Sequence, residues 1–263
     1  MDVLKISTFG RSAAHEGAVR KGLYAAENLE VEQNVTQSSK AQMGQLLDGT
    51  WHLVHTNADN VVWWDEDNGA DFVIVMATPS TPGQSFLVRP EIQSYADLRG
   101  KVLAVDAAES GYVTPLRVLL HQAGLTTEGT DFTLLEVGAT QQRIDAMRDG
   151  RAVGAMIGDA QTQQLPVEGF RILDNINRLY TSYAGAAAVR RTWLDGNADL
   201  LLRYLRAHLR ALGATGADNA PPFSWDGLTE MLQTRKDVGL LRGAVDSQRF
   251  ATETFYRQAV ASL

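Results

Sequence analysis

The sequence predicts an α/β protein built from layered, largely parallel sheets. Three observations predict it. Short apolar runs rich in β-branched residues recur along the chain. Each is followed by a loop of small and hydroxyl-bearing residues, and each loop leads into apolar residues at helical spacing. The stretch KVLAVDAAESGYVTPLRVLL, residues 101–120, carries all three in twenty positions. Val102–Val105 is a short uncharged run suited to a strand buried on both faces. Leu116, Leu119, Leu120 and Ala123 follow at i, i+3, i+4 and i+7, one face of a helix. Pro115 fits only a first turn, and Gly124 fits a helix end.

The same unit is read from the N-terminus onward. Val3–Ile6 is a strand, Ser7–Ala13 a loop, and a helical pattern then runs through Glu27. Val31–Val35 leads to Ser38, Ser39 and a helix carrying Leu46 and Leu47. Leu53–His55 leads to Thr56, Asn57 and a further helical segment. Val73–Ala77 is a strand. Phe132–Val137 leads to Gly138, Ala139, Thr140 and a helix with Ile144 and Met147. Val153–Ile157 leads to Gly158 and Asp159. AGAAAV, residues 184–189, is strand-like. Residues 197–213 form a strong helix with Leu200, Leu201, His208, Leu209 and Leu212 toward one face, and Pro221 and Pro222 break the chain after it. More helix ends the chain, from Phe250 to Leu263. The recurrence has no fixed period, so it is architecture and not a sequence repeat.

Composition narrows the function. The chain has 263 residues, 44% hydrophobic and 21% charged, as expected of a globular protein with one large or two ordinary domains. Its formal net charge is −7 and no Lys/Arg-rich run appears, which argues against nucleic acid as a partner. With no cysteine there can be no disulfide, cysteine-ligated metal or thiolate nucleophile. No apolar stretch approaches the roughly 20 residues of a membrane span. MDVLKIST enters a strand without a basic or apolar leader. The expectation is a cytoplasmic chain if native as given, and a periplasmic or extracellular one if a leader was removed.

In doubly wound sheets, ligands sit beyond the carboxyl ends of the strands. The post-strand loops share Ser, Thr, Asn and Gly, and this common character points to a binding site. Helix-start N–H groups there could hold an anion, and small side chains let a ligand approach backbone. The candidates are Phe9, Arg11, His15, Ser38, Thr56, Asn57, Asn60, Ser110, Gly111, Tyr112, Thr140 and Asp159. Each has a plain structural reading beside the functional one. Ser38, Ser110 and Asn57 are good helix caps. Arg11 suits a carboxylate or sulfonate, yet arginine on a loop is often only solvated. His15 is either a hydrogen-bonding or acid/base group or a first-turn surface histidine. Asp106 and Glu109 join Asp159 as carboxylates near these loops. Tyr183 is either a site aromatic or core.

Other patterns carry less. His52 and His55, three apart on a strand, face opposite ways, which argues against a shared metal. At least one of Trp63 and Trp64 is expected in the core, and Asp65, Glu66 and Asp67 are read as a solvated face. No glycine-rich phosphate loop or nucleophile elbow occurs, so no cofactor is expected.

Three segments carry a resemblance. IQSYADLRGKVLAVDAAESGYVTPLRVLLHQAGL (92–125), GAVRKGLYAAENLEVE (17–32) and VGATQQRIDAMRDGRAVGAMIGDA (137–160) resemble the type II periplasmic solute-binding proteins. They are most similar to the branch that takes nitrate, sulfonates, taurine and thiamine precursors. The resemblance covers about residues 3–190. It implies a two-lobed periplasmic-binding-protein-like type II fold, each lobe a mostly parallel sheet flanked by helices, with a ligand cleft between lobes. It assigns residues 1–86 and 179–263 to lobe 1 and 87–178 to lobe 2. It further implies hinge closure, a small-molecule ligand, an ABC-type permease as partner and a monomer. The implied function is a substrate-binding protein that traps a small organic anion or polar metabolite for ABC transporter uptake. The alternative is a cytoplasmic lyase, decarboxylase or hydrolase on the same scaffold, acting on a small organic acid and using His15. The scaffold's enzymes that depend on cysteine are not supported, because the chain has none.

Overall fold

The structure is a computed structural model and describes residues 1–10, 12–80, 83–111, 113–162, 168–180 and 183–263. Contacts divide the chain into two compact units. The first comprises Met1–Ser80, Ala184–Thr229 and Asp246–Leu263, and the second Thr81–Tyr183 and Glu230–Val245.

The first unit begins β1 (Asp2–Thr8), α1 (Ala13–Arg20), α2 (Leu23–Ala26), β2 (Leu29–Val35), α3 (Ser39–Leu47), β3 (Leu53–Asn57), α4 (Ala58–Asn68) and β4 (Phe72–Ser80). Its sheet has the order β2-β1-β3-β10-β4, with β10 at Tyr183–Arg190. β2, β1 and β3 run parallel, joined by helical crossovers. β10 lies antiparallel on β3, with Gly185 opposite Asn57 and Ala187 opposite His55. Leu4 and Ile6 of β1 and Leu53 of β3 are fully buried in the unit's core. Removing a leucine-sized side chain from water stabilises by about 2 kcal/mol, which is why these runs become inner strands of the sheet.

One helix was expected through Glu27, and the structure has two. Gly22 adopts φ 66°, which glycine takes without a Cβ penalty, and the chain turns there into α2. Both Trp63 and Trp64 are buried. The acidic trio is not simply solvated: Arg249 pairs with Asp65 at 2.8 Å and with Glu66 at 2.9 Å, and the Glu66 side chain is only 6% exposed.

The second unit contains β5 (Gln84–Val88), β6 (Lys101–Val105), α5 (Val113–Gln122), β7 (Phe132–Glu136), α6 (Thr140–Arg148), β8 (Gly154–Gly158), α7 (Asp159–Thr162) and β9 (Arg171–Asn175). The sheet order is β7-β6-β8-β5-β9. β7, β6 and β8 are parallel, while β5 is antiparallel to both of its neighbours. The sequence boundary at 86/87 places Gln84–Phe86 with the first lobe, whereas their hydrogen bonds lie in this second sheet. Glu230–Val245 likewise counts with this unit. Leu87, Ala104, Ala155 and Ile157 meet Ile144 and Met147 of α6 in the core.

The rest of the chain is α8 (Arg191–Leu194), α9 (Ala198–Ala211), α10 (Trp225–Asp237), α11 (Ser247–Phe250) and α12 (Thr254–Ala261). Leu201, His208 and Leu209 of α9 are buried as expected, but Leu212 lies past the helix end and is 46% exposed.

Candidate functional site

In the first unit the candidate residues gather where β1, β2 and β3 end. Thr8 closes β1, and its carbonyl accepts from the Thr36 N–H at 2.8 Å. Its hydroxyl donates to Gly10 O at 2.8 Å and accepts from Gln33 Nε2 at 2.9 Å. Phe9 follows on an exposed bend. Arg11 lies outside the described residues. Ser12 and Ser38 cap their helices: Ser12 Oγ accepts from His15 N–H and Ser38 Oγ from Ala41 N–H.

α4 begins differently. Asn57 is its N-cap residue, half-buried, and its side chain makes no cap bond. Asn60 Nδ2 donates to Thr56 Oγ1 at 2.7 Å, and both residues are buried. Thr56 and Asn57 are the last residues of β3 itself and not a loop after it.

His15 turns inward. It is 8% exposed, and its Nδ1 lies 3.3 Å from the Tyr24 hydroxyl. Burial holds its pKa below the ordinary histidine value, with Glu16 opposing. One edge of the ring also lines a shallow groove of about 430 Å³ with Glu16, Val19, Arg20, Gln33 and Val35.

In the second unit the loops after β6 and β7 come together. Val137 N–H donates to Val105 O, and Ala108 N–H donates to Glu136 Oε1 at 2.8 Å. The Ser110 hydroxyl donates to Asp106, and Ser110 O accepts from the N–H groups of Val113 and Thr114, the first two residues of α5. Ser110 and Gly111 are both buried. Tyr112 lies outside the described residues. α6 starts after Gly138 and Ala139; alanine has no side chain to cap with, and the Thr140 hydroxyl instead accepts from Arg143 Nη2 at 2.9 Å. Asp159 opens α7 at the end of β8, and its side chain is not among those described, nor is that of Tyr183.

Sequence reasoning missed three partners here. Glu136 holds the loop at Ala108. Arg143 is 3% exposed and bonds Met156 O. Arg235 reaches the start of α5 from α10: its Nη1 donates to Thr114 Oγ1 at 3.1 Å. A charged residue in a polar helical stretch reads as surface, so no local pattern marks either arginine. His52 stacks on Trp193, whereas His55 meets Tyr204 and His208. Among the described residues, no group of three or more histidines and carboxylates is arranged to hold a metal ion, and no helix is long and apolar enough to cross a membrane.

Each unit thus carries its own set of strand-end loops, with a buried hydroxyl and a helix start whose N-cap side chain makes no cap bond. The Thr56 and Thr140 hydroxyls accept from Asn60 and Arg143 and can donate to a small polar or anionic molecule, whereas the Ser110 proton goes to Asp106.

The sequence profile described as "ABC transporter, phosphonate, periplasmic substrate-binding protein" matches residues 18–212. No curated protein matches the chain. Among solved structures, a protein from Bordetella bronchiseptica RB50 superposes with TM-score 0.77 at 17% identity, over 98% of this chain and 97% of that one. The alkanesulfonate-binding protein SsuA from Xanthomonas axonopodis pv. citri, bound to MOPS, gives TM-score 0.69 at 19% identity over 98% and 84%. The desulfurization enzyme DSZB gives 0.63 at 16% identity over 98% and 99%. At these identities the structures establish the periplasmic-binding-protein-like fold alone, and the profile establishes more: this chain belongs to the phosphonate family of ABC transporter periplasmic substrate-binding proteins.

Proposed function

We propose that this chain binds a small organic anion, of the phosphonate or sulfonate class, through strand-end loops. As a substrate-binding protein of its family, it serves ABC-type uptake, and its general partners are the small-molecule ligand and a permease. The observation that supports the ligand class is the pair of helix starts at Asn57 and Ala139, whose own side chains make no cap bond, beside the buried Thr56 hydroxyl. Helix N-termini favour negative charge by about 0.3–1 kcal/mol each, more where partly buried. Phosphonate and sulfonate groups carry three oxygens that accept such donors at once. The contacts proposed are Thr56, Asn57, Asn60, Ser110, Gly111 and Thr140, with Phe9, Arg11, His15, Ser38, Tyr112 and Asp159 around them. The protein is proposed to act as a periplasmic monomer.

The catalytic alternative built on His15 gains nothing from its surroundings. Its Nδ1 is engaged with Tyr24, and burial lowers its pKa.

Native mass spectrometry of the freshly purified protein should show a bound small anion. Calorimetry should show methylphosphonate or ethanesulfonate binding and the neutral methyl ester of the same acid not binding. Asn57→Asp places a carboxylate at the α4 start and should weaken anion binding about 10-fold. Equal affinity for the acid and its neutral ester would defeat the reading.

A further inference from the structure

Arg235 is among the largest fully buried side chains of the protein, 1% exposed, and Thr114 beside it is fully buried. It belongs to Glu230–Val245, a stretch that counts with the second unit although the chain on either side of it counts with the first. Its guanidinium reaches Thr114, the Glu109 carbonyl and the Leu240 carbonyl. Nη1 donates to Thr114 Oγ1 at 3.1 Å and to Glu109 O at 3.4 Å. Nη2 donates to Leu240 O at 3.2 Å, and Leu240 N–H returns a bond to Arg235 O at 2.8 Å. One fork therefore joins the 240 turn to both sides of Ser110 and Gly111: Glu109 before them and Thr114 after.

A buried guanidinium is a poor stabiliser. Its desolvation costs several kcal/mol, and an apolar side chain of similar shape is often neutral or better. What it supplies is direction, since five donors in a planar fork fix their acceptors in one arrangement. The acceptors here flank the loop proposed to bind the ligand. Val113 and Thr114 donate to Ser110 O, so displacing Thr114 displaces the turn that presents Ser110 and Gly111.

We propose that Arg235 is a positioning residue for ligand binding, holding the loop between β6 and α5 in its binding geometry through Thr114 and the Glu109 carbonyl. This rests on the binding function proposed above. The side chain acts through the loop and not on the ligand.

The test measures dissociation constants and off-rates for methylphosphonate and ethanesulfonate in full-length Thr114→Val, Arg235→Lys and Arg235→Met proteins and in the Thr114→Val/Arg235→Met double variant. Thr114→Val keeps the shape and deletes one acceptor; affinity should fall about 5-fold, mainly through a faster off-rate. Arg235→Met should cost about 10-fold or more, with melting temperature unchanged or raised, and the double variant should bind no worse than Arg235→Met alone. Arg235→Lys keeps the charge but not the fork, and should bind as weakly as the methionine variant. Affinities of folded Thr114→Val and Arg235→Lys within twofold of the parent would overturn the proposal, whether or not Arg235→Met folds. Full rescue by lysine would also overturn it, because charge alone would then suffice. If the parent protein binds neither probe, the binding function fails and the positioning role with it; binding by the parent with unaffected variants removes only the latter.

Discussion

Tyr204 has one hydroxyl proton and two imidazoles near it. His55 Nε2 lies 2.7 Å away and His208 Nδ1 3.5 Å, while the ring stacks on Tyr24, which in turn reaches His15. With both rings neutral and in complementary tautomers, the hydroxyl can donate to one imidazole and accept from the other. Protonating either ring adds a donor and brings like charge to a neighbour whose ring centre is 5.0 Å away. Desolvation, reinforced by the other histidines, pushes the pKa of His55 down to about 4 and that of His208 down to about 3, and His15 is lowered as well. Folded-state values below the unfolded value of about 6.5 mean that the unfolded chain takes up protons first. The stability is fully present above pH 6.5 and is lost as pH falls from there through 4. At pH 5 the loss is roughly 2 kcal/mol for each fully neutral buried ring. The protein should therefore melt several degrees lower at pH 5 than at pH 7.5, and His208→Gln should flatten that difference. An identical pH slope in the variant would show that acid acts elsewhere. The sequence shows His15, His55 and His208 as separate residues on separate elements; only the packing of α1, α2, β3 and α9 makes them one group, so no spacing rule could have found it.

Elements were legible where the chain follows the strand–loop–helix order. β1, β2, β3, β6, β7 and β8 each precede a helix, and an uncharged or alternating run followed by a capping residue is a local pattern. β5 and β9 are not followed by such a pattern, because they add antiparallel to the sheet's far side and need no crossover helix. QSFLV, at 84–88, is buried at all five positions, and the 86/87 boundary cuts through it. The β5–β8 ladder also explains a glycine. A Cβ on Gly154 would lie 3.0 Å from Leu87 O, from Phe86 Cε2 and from Val88 Cγ1. Backbone on one side and two packed side chains on the other leave no direction in which to yield. Gly154→Ala should destabilise the protein by about 1–3 kcal/mol through overpacking, seen as a lower denaturant midpoint with unchanged slope. A midpoint equal to the parent's would mean that β5 moves aside at little cost. Gly22→Ala, with open space around its Cβ position but φ 66°, should cost less, near 1 kcal/mol.

At the scale of the molecule, family resemblance carried what local physics did not. Alternating strands and helices fit many doubly wound proteins; the division into two sheets, with the chain returning to the first unit, came from the 92–125, 17–32 and 137–160 segments. Even so, the excursion at Glu230–Val245 was invisible, since its helix looks continuous with what precedes it. Each unit has its own candidate loops, so which of them meet the ligand is a question of linkage. Ligand at 100 times its dissociation constant stabilises whatever it binds by about 2.7 kcal/mol. A ligand held by one unit would confer that on one unit only. A ligand that uses Thr56–Asn60 and also Ser110–Thr114 and Ala139–Thr140 must slow local opening at all three places. Amide exchange with and without saturating methylphosphonate should show new protection at 56–60, 110–114 and 139–143 together, with the exposed β2–α1 groove at Val19 and Val35 unchanged. Protection confined to 56–60 would place binding on the first unit alone, and the helix start at Ala139 would lose its assigned part. Protection at the groove instead would transfer the site to the outer edge of His15, where Arg20 and Glu16 and not helix starts would select the ligand.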